Sequence, residues 1–192
     1  MADDVVEDFR ASSGRITGVL GVIFCIGVVV LGLAERERGF PPSIVWAALF
    51  GAVLFWAASL RPRVRVTASE LCMRNMLSTI SVPLASIEQI VVRQVLSVRA
   101  GERRYVSAAV GKSWRQAMRS DRPRKQGAEA SYPVFVEERL HKLAEDARAR
   151  EGIALMSDEQ LALARGVRRE WAWPEIVMLT FTALGFVVAL LA

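Results

Sequence analysis

Residues 44–67 read IVWAALFGAVLFWAASLRPRVRVT. The first 17 of them, Ile44–Leu60, carry no charge, while Arg63–Thr67 alternates charged and apolar side chains. A helix rises about 1.5 Å per residue, so 17 residues reach roughly 26 Å, close to the hydrocarbon thickness of a bilayer. Alternation with a period of two is the mark of a strand with one buried face. The chain therefore passes from a lipid-solvated helix to a half-buried strand across Arg61-Pro62. Two more uncharged runs flank this junction: Ile16–Ala34, of 19 residues, and Ile176–Ala192, of 17. The segment Arg61–Glu170 between the second and third runs holds 21 Lys/Arg against 13 Asp/Glu, a surplus of +8, beside +5 for the whole chain. Three membrane helices and one basic domain are predicted.

The flanking charges give an orientation. Arg10 and Arg15 precede the first run, Arg61, Arg63 and Arg65 follow the second, and Arg165, Arg168 and Arg169 precede the third. Only Arg36 and Arg38 lie between the first two. The positive-inside bias then places the N-terminus and the basic domain in the cytoplasm, with the Ala34–Ser43 loop and the C-terminus outside. Trp56, Trp171 and Trp173 suit an aromatic belt on the cytoplasmic side. The acidic Asp3, Asp4, Glu7 and Asp8 ahead of the first run argue for an uncleaved anchor over a signal peptide.

Pro41-Pro42 bars a continuous helix, so the first two runs form a hairpin. Gly18, Gly21, Gly27 and Gly32 on one side, and Ala47, Ala48, Gly51 and Ala52 on the other, permit close backbone approach. After Leu60, strands are expected at Arg63–Thr67, Leu71–Asn75, Ile80–Val82, Ile87–Val95 and Arg103–Ser107, with Leu96–Arg99 either continuing the fourth or separate. Ala68-Ser69-Glu70 and Ala100-Gly101-Glu102 supply turns. Val136, Leu140, Leu143 and Ala147 make one apolar helical stripe, stopped by Gly152, and Ser157-x-x-Gln160 is a capping box for a short helix running toward Glu170. The expected division is residues 1–60 for the tail and hairpin, 61–152 for the basic domain, 153–173 for a helical linker, and 174–192 for the third span. Val64, Val66, Leu71, Ile80, Val82, Ile87, Val92, Leu140 and Leu143 are the expected core of the domain.

Taken in order, the hairpin, Arg61-Pro62-Arg63-Val64-Arg65-Val66, the strand ending Arg74-Asn75, Val82-Pro83-Leu84-Ala85-Ser86-Ile87, Gly101-Glu102-Arg103-Arg104-Tyr105-Val106-Ser107 and the helix start Phe135-Val136-Glu137-Glu138-Arg139-Leu140 resemble the bacterial, especially actinobacterial, pleckstrin-homology (PH) domain membrane proteins. The resemblance covers residues 15–150. It implies a PH-like antiparallel β-barrel or sandwich closed by a C-terminal α-helix, with a binding or scaffolding role and no catalysis. The turn Ala68-Ser69-Glu70 has no basic residue where eukaryotic members that grip phosphoinositides cluster Lys/Arg, and the closing helix lacks their tryptophan. Both departures argue against a specific inositol-phosphate pocket.

Candidate chemistry is sparse. Gly111-Lys112-Ser113 ends like a phosphate-binding loop, yet the glycine needed five positions earlier is Val106. His141, the only histidine, falls beside the apolar stripe and reads as a solvated surface residue. Cys25 and Cys72 read as small buried hydrophobes, with no metal spacing. No catalytic, cofactor or metal site is expected. The uncharged runs hold no ionisable group, which argues against transport. The remaining candidate is the basic segment Lys112, Trp114, Arg115, Arg119, Arg122, Arg124 and Lys125, opposed only by Asp121. Read as a site, it meets anionic lipid headgroups; read plainly, it is a solvated loop. The partners expected are membrane lipids and other membrane proteins or a second copy of the chain; nucleic acid is disfavoured because the domain is tethered and lacks stacking aromatics. The alternative to lipid or protein contact by the domain is an accessory or scaffold subunit of a larger membrane complex.

Overall fold

The structure, a computed structural model, describes residues 5–10, 14–35, 39–110 and 132–191. It divides into two compact units, Met1–Ser13 with Pro62–Glu170, and Gly14–Arg61 with Trp171–Ala192.

The second unit consists of helices. Helix α1 spans Arg15–Ala34, and α2 spans Pro42–Phe55 and continues as a π-helical turn over Trp56–Leu60. A third helix, labelled α5 by chain order, covers Trp173–Leu191, with Pro174 in its first turn, where a missing N–H costs no hydrogen bond. Each is 19 or 20 residues long, with a mean hydropathy of 2.0 to 2.7, long and apolar enough to cross a membrane. Their apolar residues point outward as well as inward: Leu20, Phe24, Leu31, Phe181, Leu184 and Val188 are all exposed. Helices apolar on all sides are solvated by lipid. Helix α2 packs against both α1 and α5, and the small residues let it do so. A Cβ on Gly21 would lie 2.7 Å from the Phe55 ring, and one on Gly32 would lie 2.5 Å from Val45. Gly18 against Ser59 and Gly185 against Trp46 are closer still. Gly27 meets nothing and is not a packing position. Trp46 also stacks edge-on to Phe181 at 5.7 Å.

The first unit is built of strands. Val5–Arg10 (β1), Arg63–Thr67 (β2), Glu70–Arg74 (β3), Ser78–Pro83 (β4) and Arg168–Trp171 (β8) form one sheet in the order β1-β2-β3-β4-β8. Ile87–Val92 (β5), Leu96–Ala100 (β6) and Arg103–Ser107 (β7) form a second, antiparallel sheet. Among the described residues the two sheets do not join into a closed barrel, so the barrel form of the expectation is not met. Helix α3, Tyr132–Glu151, closes the core, and α4, Asp158–Ala164, follows it.

Register explains the core. Val64 pairs with Met73 and Met73 with Ile80, while Val66 pairs with Leu71 and Leu71 with Val82. These columns share one interior with Ile87, Ile90, Val92, Leu96, Val98, Val136 and Leu140. Eight of the nine expected core residues are buried there, and Leu143 packs against the cluster half-buried. Ala144 takes the fully buried place on α3, so the stripe runs Val136, Leu140, Ala144, Ala147.

Several expectations are corrected. The N-terminal tail is no appendage of the hairpin: β1 pairs antiparallel with β2, and Glu7 on β1 accepts from Arg139 Nε of α3 at 2.6 Å. That hydrogen bond, with the carboxylate charge behind it, raises the Arg139 pKa further above its ordinary value. Residues 153–173 are not a wholly helical linker, because α4 ends at Ala164 and β8 adds a strand beside β4. The capping box is only half made. Ser157 Oγ accepts from Gln160 N at 3.2 Å, but the Gln160 side chain turns inward instead of returning to Ser157. Its Oε1 accepts from Met156 N, and its Nε2 donates to Ala85 O and Ile87 O at 3.1 and 3.2 Å. His141 is half-buried, its Nε2 2.9 Å from Ile90 O, and Cys72 is half-buried beside Ser81 on the paired strand.

These side chains share a task. Strand β5 is an edge strand whose free backbone groups need partners. Glu137 of α3 accepts from Val92 N at 3.1 Å, His141 meets Ile90 O, and Arg148 donates to Ile87 O at 2.7 Å. Spaced 4 and 7 residues apart, the three lie on one side of the helix and act as a surrogate strand.

Candidate anion-binding site

The second sheet has one face in the core, formed by Ile90, Val92, Leu96 and Val98. Alternation sends Gln89 and Val91 of β5, and Arg99 of β6, to the other face, where Arg93, the residue after β5, also lies. The turn Gly101-Glu102 then fixes what stands opposite. Gly101 has φ +59° and Glu102 has no positive φ, the pattern of a type II′ hairpin, so Ala100 pairs with Arg103 and Arg99 with Arg104. On the other side Arg99 pairs with Gln89 and Ser97 with Val91. The outcome is a shallow hollow of about 270 Å³ lined by Gln89, Val91, Arg93, Ser97, Arg99 and Arg104.

Its electrostatics are one-sided. Arg104 donates through Nε to Ser97 Oγ, which pins the guanidinium over the strand and leaves its terminal nitrogens free of that bond. Arg99 Nε lies 3.5 Å from Glu88 Oε2 and 3.4 Å from Gly101 O. A bulge between Ile87 and Gln89 turns Glu88 toward the hairpin, where its Oε1 accepts from Gly101 N at 3.1 Å. The Arg93 side chain has no hydrogen-bonding or ionic partner among the described residues. Three guanidiniums and one carboxylate leave a net charge of +2. Like charges directly across a strand pair are destabilising, so Arg99 opposite Arg104 is a cost that packing does not explain. Locally unfavourable arrangements concentrate where a ligand uses them.

The sequence-derived candidates fall elsewhere. Lys112, Trp114, Arg115, Arg119, Arg122, Arg124 and Lys125 all lie outside the described residues. The chain reaches that segment directly from the second sheet, through the buried Ala109 and Val110 after β7. Sequence reasoning passed over Arg93, Arg99 and Arg104 because they are scattered over 12 residues of chain and form no basic run there. A signal was present: a two-residue turn at Gly101-Glu102 dictates that Arg99 and Arg104 pair.

A second group was also missed. Helix α5 begins three residues before the uncharged run, so Glu175 enters its first turn. Arg61 Nε lies 2.6 Å from Glu175 Oε1, with 4% and 8% of the two side chains exposed. The span ends therefore do hold an ionisable pair. A carboxylate at a helix N-terminus is favoured by the dipole, and a buried guanidinium needs such a partner. Among the described residues, no three His, Cys, Asp or Glu gather as a metal site.

Compared with protein-family models, with curated proteins and with solved structures, the chain matches none.

Proposed function

We propose that this chain is a non-enzymatic, three-span protein of a bacterial inner membrane, displaying a PH-like β-domain in the cytoplasm to make contact with anionic lipid or protein surfaces. The observation that carries the reading is the outward face of the second sheet, where Arg93, Arg99 and Arg104 gather around Ser97 on a unit separate from the three apolar helices. Side chains so arranged do no acid–base or nucleophilic work: guanidiniums donate hydrogen bonds and positive charge, and they recognise carboxylate and phosphate. The two sheets and closing helix support the PH-like description, and the arginines flanking the spans support the inward orientation. The segment 112–125 carries six further Lys/Arg against one Asp.

The test uses the full chain in nanodiscs of neutral phosphatidylcholine, mixed with vesicles and floated on a gradient. Vesicles rich in phosphatidylglycerol should be captured and phosphatidylcholine vesicles should not. Capture should fall as salt shortens the Debye length from about 10 Å at 0.1 M to about 3 Å at 1 M. Equal capture of both vesicles, or capture indifferent to salt, would remove the electrostatic reading.

A further inference from the structure

We propose that the hollow on the second sheet is a subsite for a phosphate monoester, a group carried by small phosphorylated metabolites and by phosphatidic acid alike. The proposal rests on the anion-contact reading above and names the group recognised. Three properties of the hollow select it. Size comes first: about 270 Å³ lies below the roughly 300–1,000 Å³ of pockets that enclose a drug-sized ligand, so the hollow suits a small anionic group or a small metabolite that carries one. Charge comes second. The three guanidiniums, offset by Glu88, leave +2, which matches the charge of about −1.5 to −2 on a monoester at pH 7 and exceeds the single charge of a diester or carboxylate. Donor geometry comes third. Arg104 is held by Ser97, Arg99 stands directly across the ladder from it, and both line the hollow together with Arg93, the residue after β5, so the guanidinium forks are its main donors. Paired N–H groups of this kind bind phosphoryl oxygens in a bidentate fashion. A bound dianion also relieves the repulsion between Arg99 and Arg104, so the arrangement that costs the free sheet becomes favourable in the complex. The hollow is formed by β5, β6 and β7, whereas the first hairpin turn, Ala68-Ser69, belongs to the other sheet.

The experiment titrates the full chain in phosphatidylcholine nanodiscs with glycerol 3-phosphate by calorimetry, with glycerophosphoglycerol as the diester. A parallel arm floats vesicles containing phosphatidic acid or phosphatidylglycerol. The monoester should be preferred to the diester by about tenfold in at least one arm, and Arg99→Gln and Arg104→Gln should each weaken it about tenfold or more. Amide protection in β6 and β7 should stay unchanged or rise in both variants, which separates lost recognition from lost folding. Preference in the soluble arm alone assigns a metabolite; preference in the vesicle arm alone, or in both with competition by glycerol 3-phosphate, assigns a lipid headgroup. Affinity should fall as pH drops through about 6, because the ligand takes up its second proton while the arginines stay charged. No preference for monoester over diester in either arm overturns the proposal. Salt-sensitive capture of phosphatidylglycerol vesicles would in that case leave the broader anion-contact reading standing, and loss of that capture too would remove both.

Discussion

Gln160→Ala tests whether the segment after α3 belongs to the β-domain. The Gln160 side chain is 1% exposed and makes three hydrogen bonds, one to Met156 N and two to the carbonyls of Ala85 and Ile87. A net hydrogen bond contributes about 0.5–1.5 kcal/mol, and a buried group left unpaired costs about 1–3 kcal/mol. Arg148 still serves Ile87 O in the variant, and Met156 is exposed enough for water to reach its N–H, so the losses are one net hydrogen bond at Met156 and one unpaired buried carbonyl at Ala85. Together these give about 2–4 kcal/mol. Helix α4 has seven residues, too few to persist without docking. Its local opening should therefore register most of the loss. Hydrogen exchange of the full chain in nanodiscs is the assay: about 1.4 kcal/mol is a tenfold change, so protection over Asp158–Ala164 should fall about 30- to 1,000-fold. Ser157→Ala, which removes only the cap, should lower it by about fivefold, from roughly 1 kcal/mol. Unchanged protection in Gln160→Ala would show that the segment is an undocked linker, and the argument from Gln160 would fail.

Other outcomes follow from the same structure. Leu140→Ala empties a fully buried site between the sheets and α3 and should cost about 2–5 kcal/mol, read as a lowered denaturation midpoint of the β-domain. Glu175→Ala removes the carboxylate from the buried Arg61 and should destabilise the helical unit by up to about 3–5 kcal/mol in detergent, whereas exchanging the two residues should restore part of it. Glu7→Gln should speed amide exchange in β1, because it removes the carboxylate to which Arg139 of α3 donates, a contact whose arginine stays charged at any working pH. Reporter fusions at Gly39 and at residue 192 should both signal from outside the cell; cytoplasmic signals from both would reverse the orientation, and one from either alone would contradict three crossings.

How much of this was legible in the sequence depends on the range of the interactions involved. The three spans follow from uncharged runs, a local property, and the structure begins each helix within three residues of its run. The core of β2 to β4 was equally open, because alternation in Arg63–Thr67 names its buried face and short turns set the pairing. What stayed hidden depends on distant residues. Val5–Arg10 is a strand because it meets β2 across more than 50 residues of chain. Gln160 matches a local capping motif and is taken instead by carbonyls 73 and 75 residues away. His141 has no apolar period to mark it, yet it satisfies Ile90 O on an edge strand. The arginine hollow lies between these cases. Its register follows from one turn, but the bulge that brings Glu88 to Arg99 has no local signature.

The central claim is that the outward face of β5 to β7 makes the anion contact. Its most direct test is vesicle flotation with the full chain in neutral nanodiscs, comparing the wild type with a variant carrying Arg93→Gln, Arg99→Gln and Arg104→Gln. All three residues are exposed, so the variant should keep its fold. The account predicts that capture of anionic vesicles drops at least about tenfold at 0.1 M salt, with most of its salt dependence gone. Full, salt-sensitive capture by the folded variant would contradict it and would assign the contact to a different basic surface.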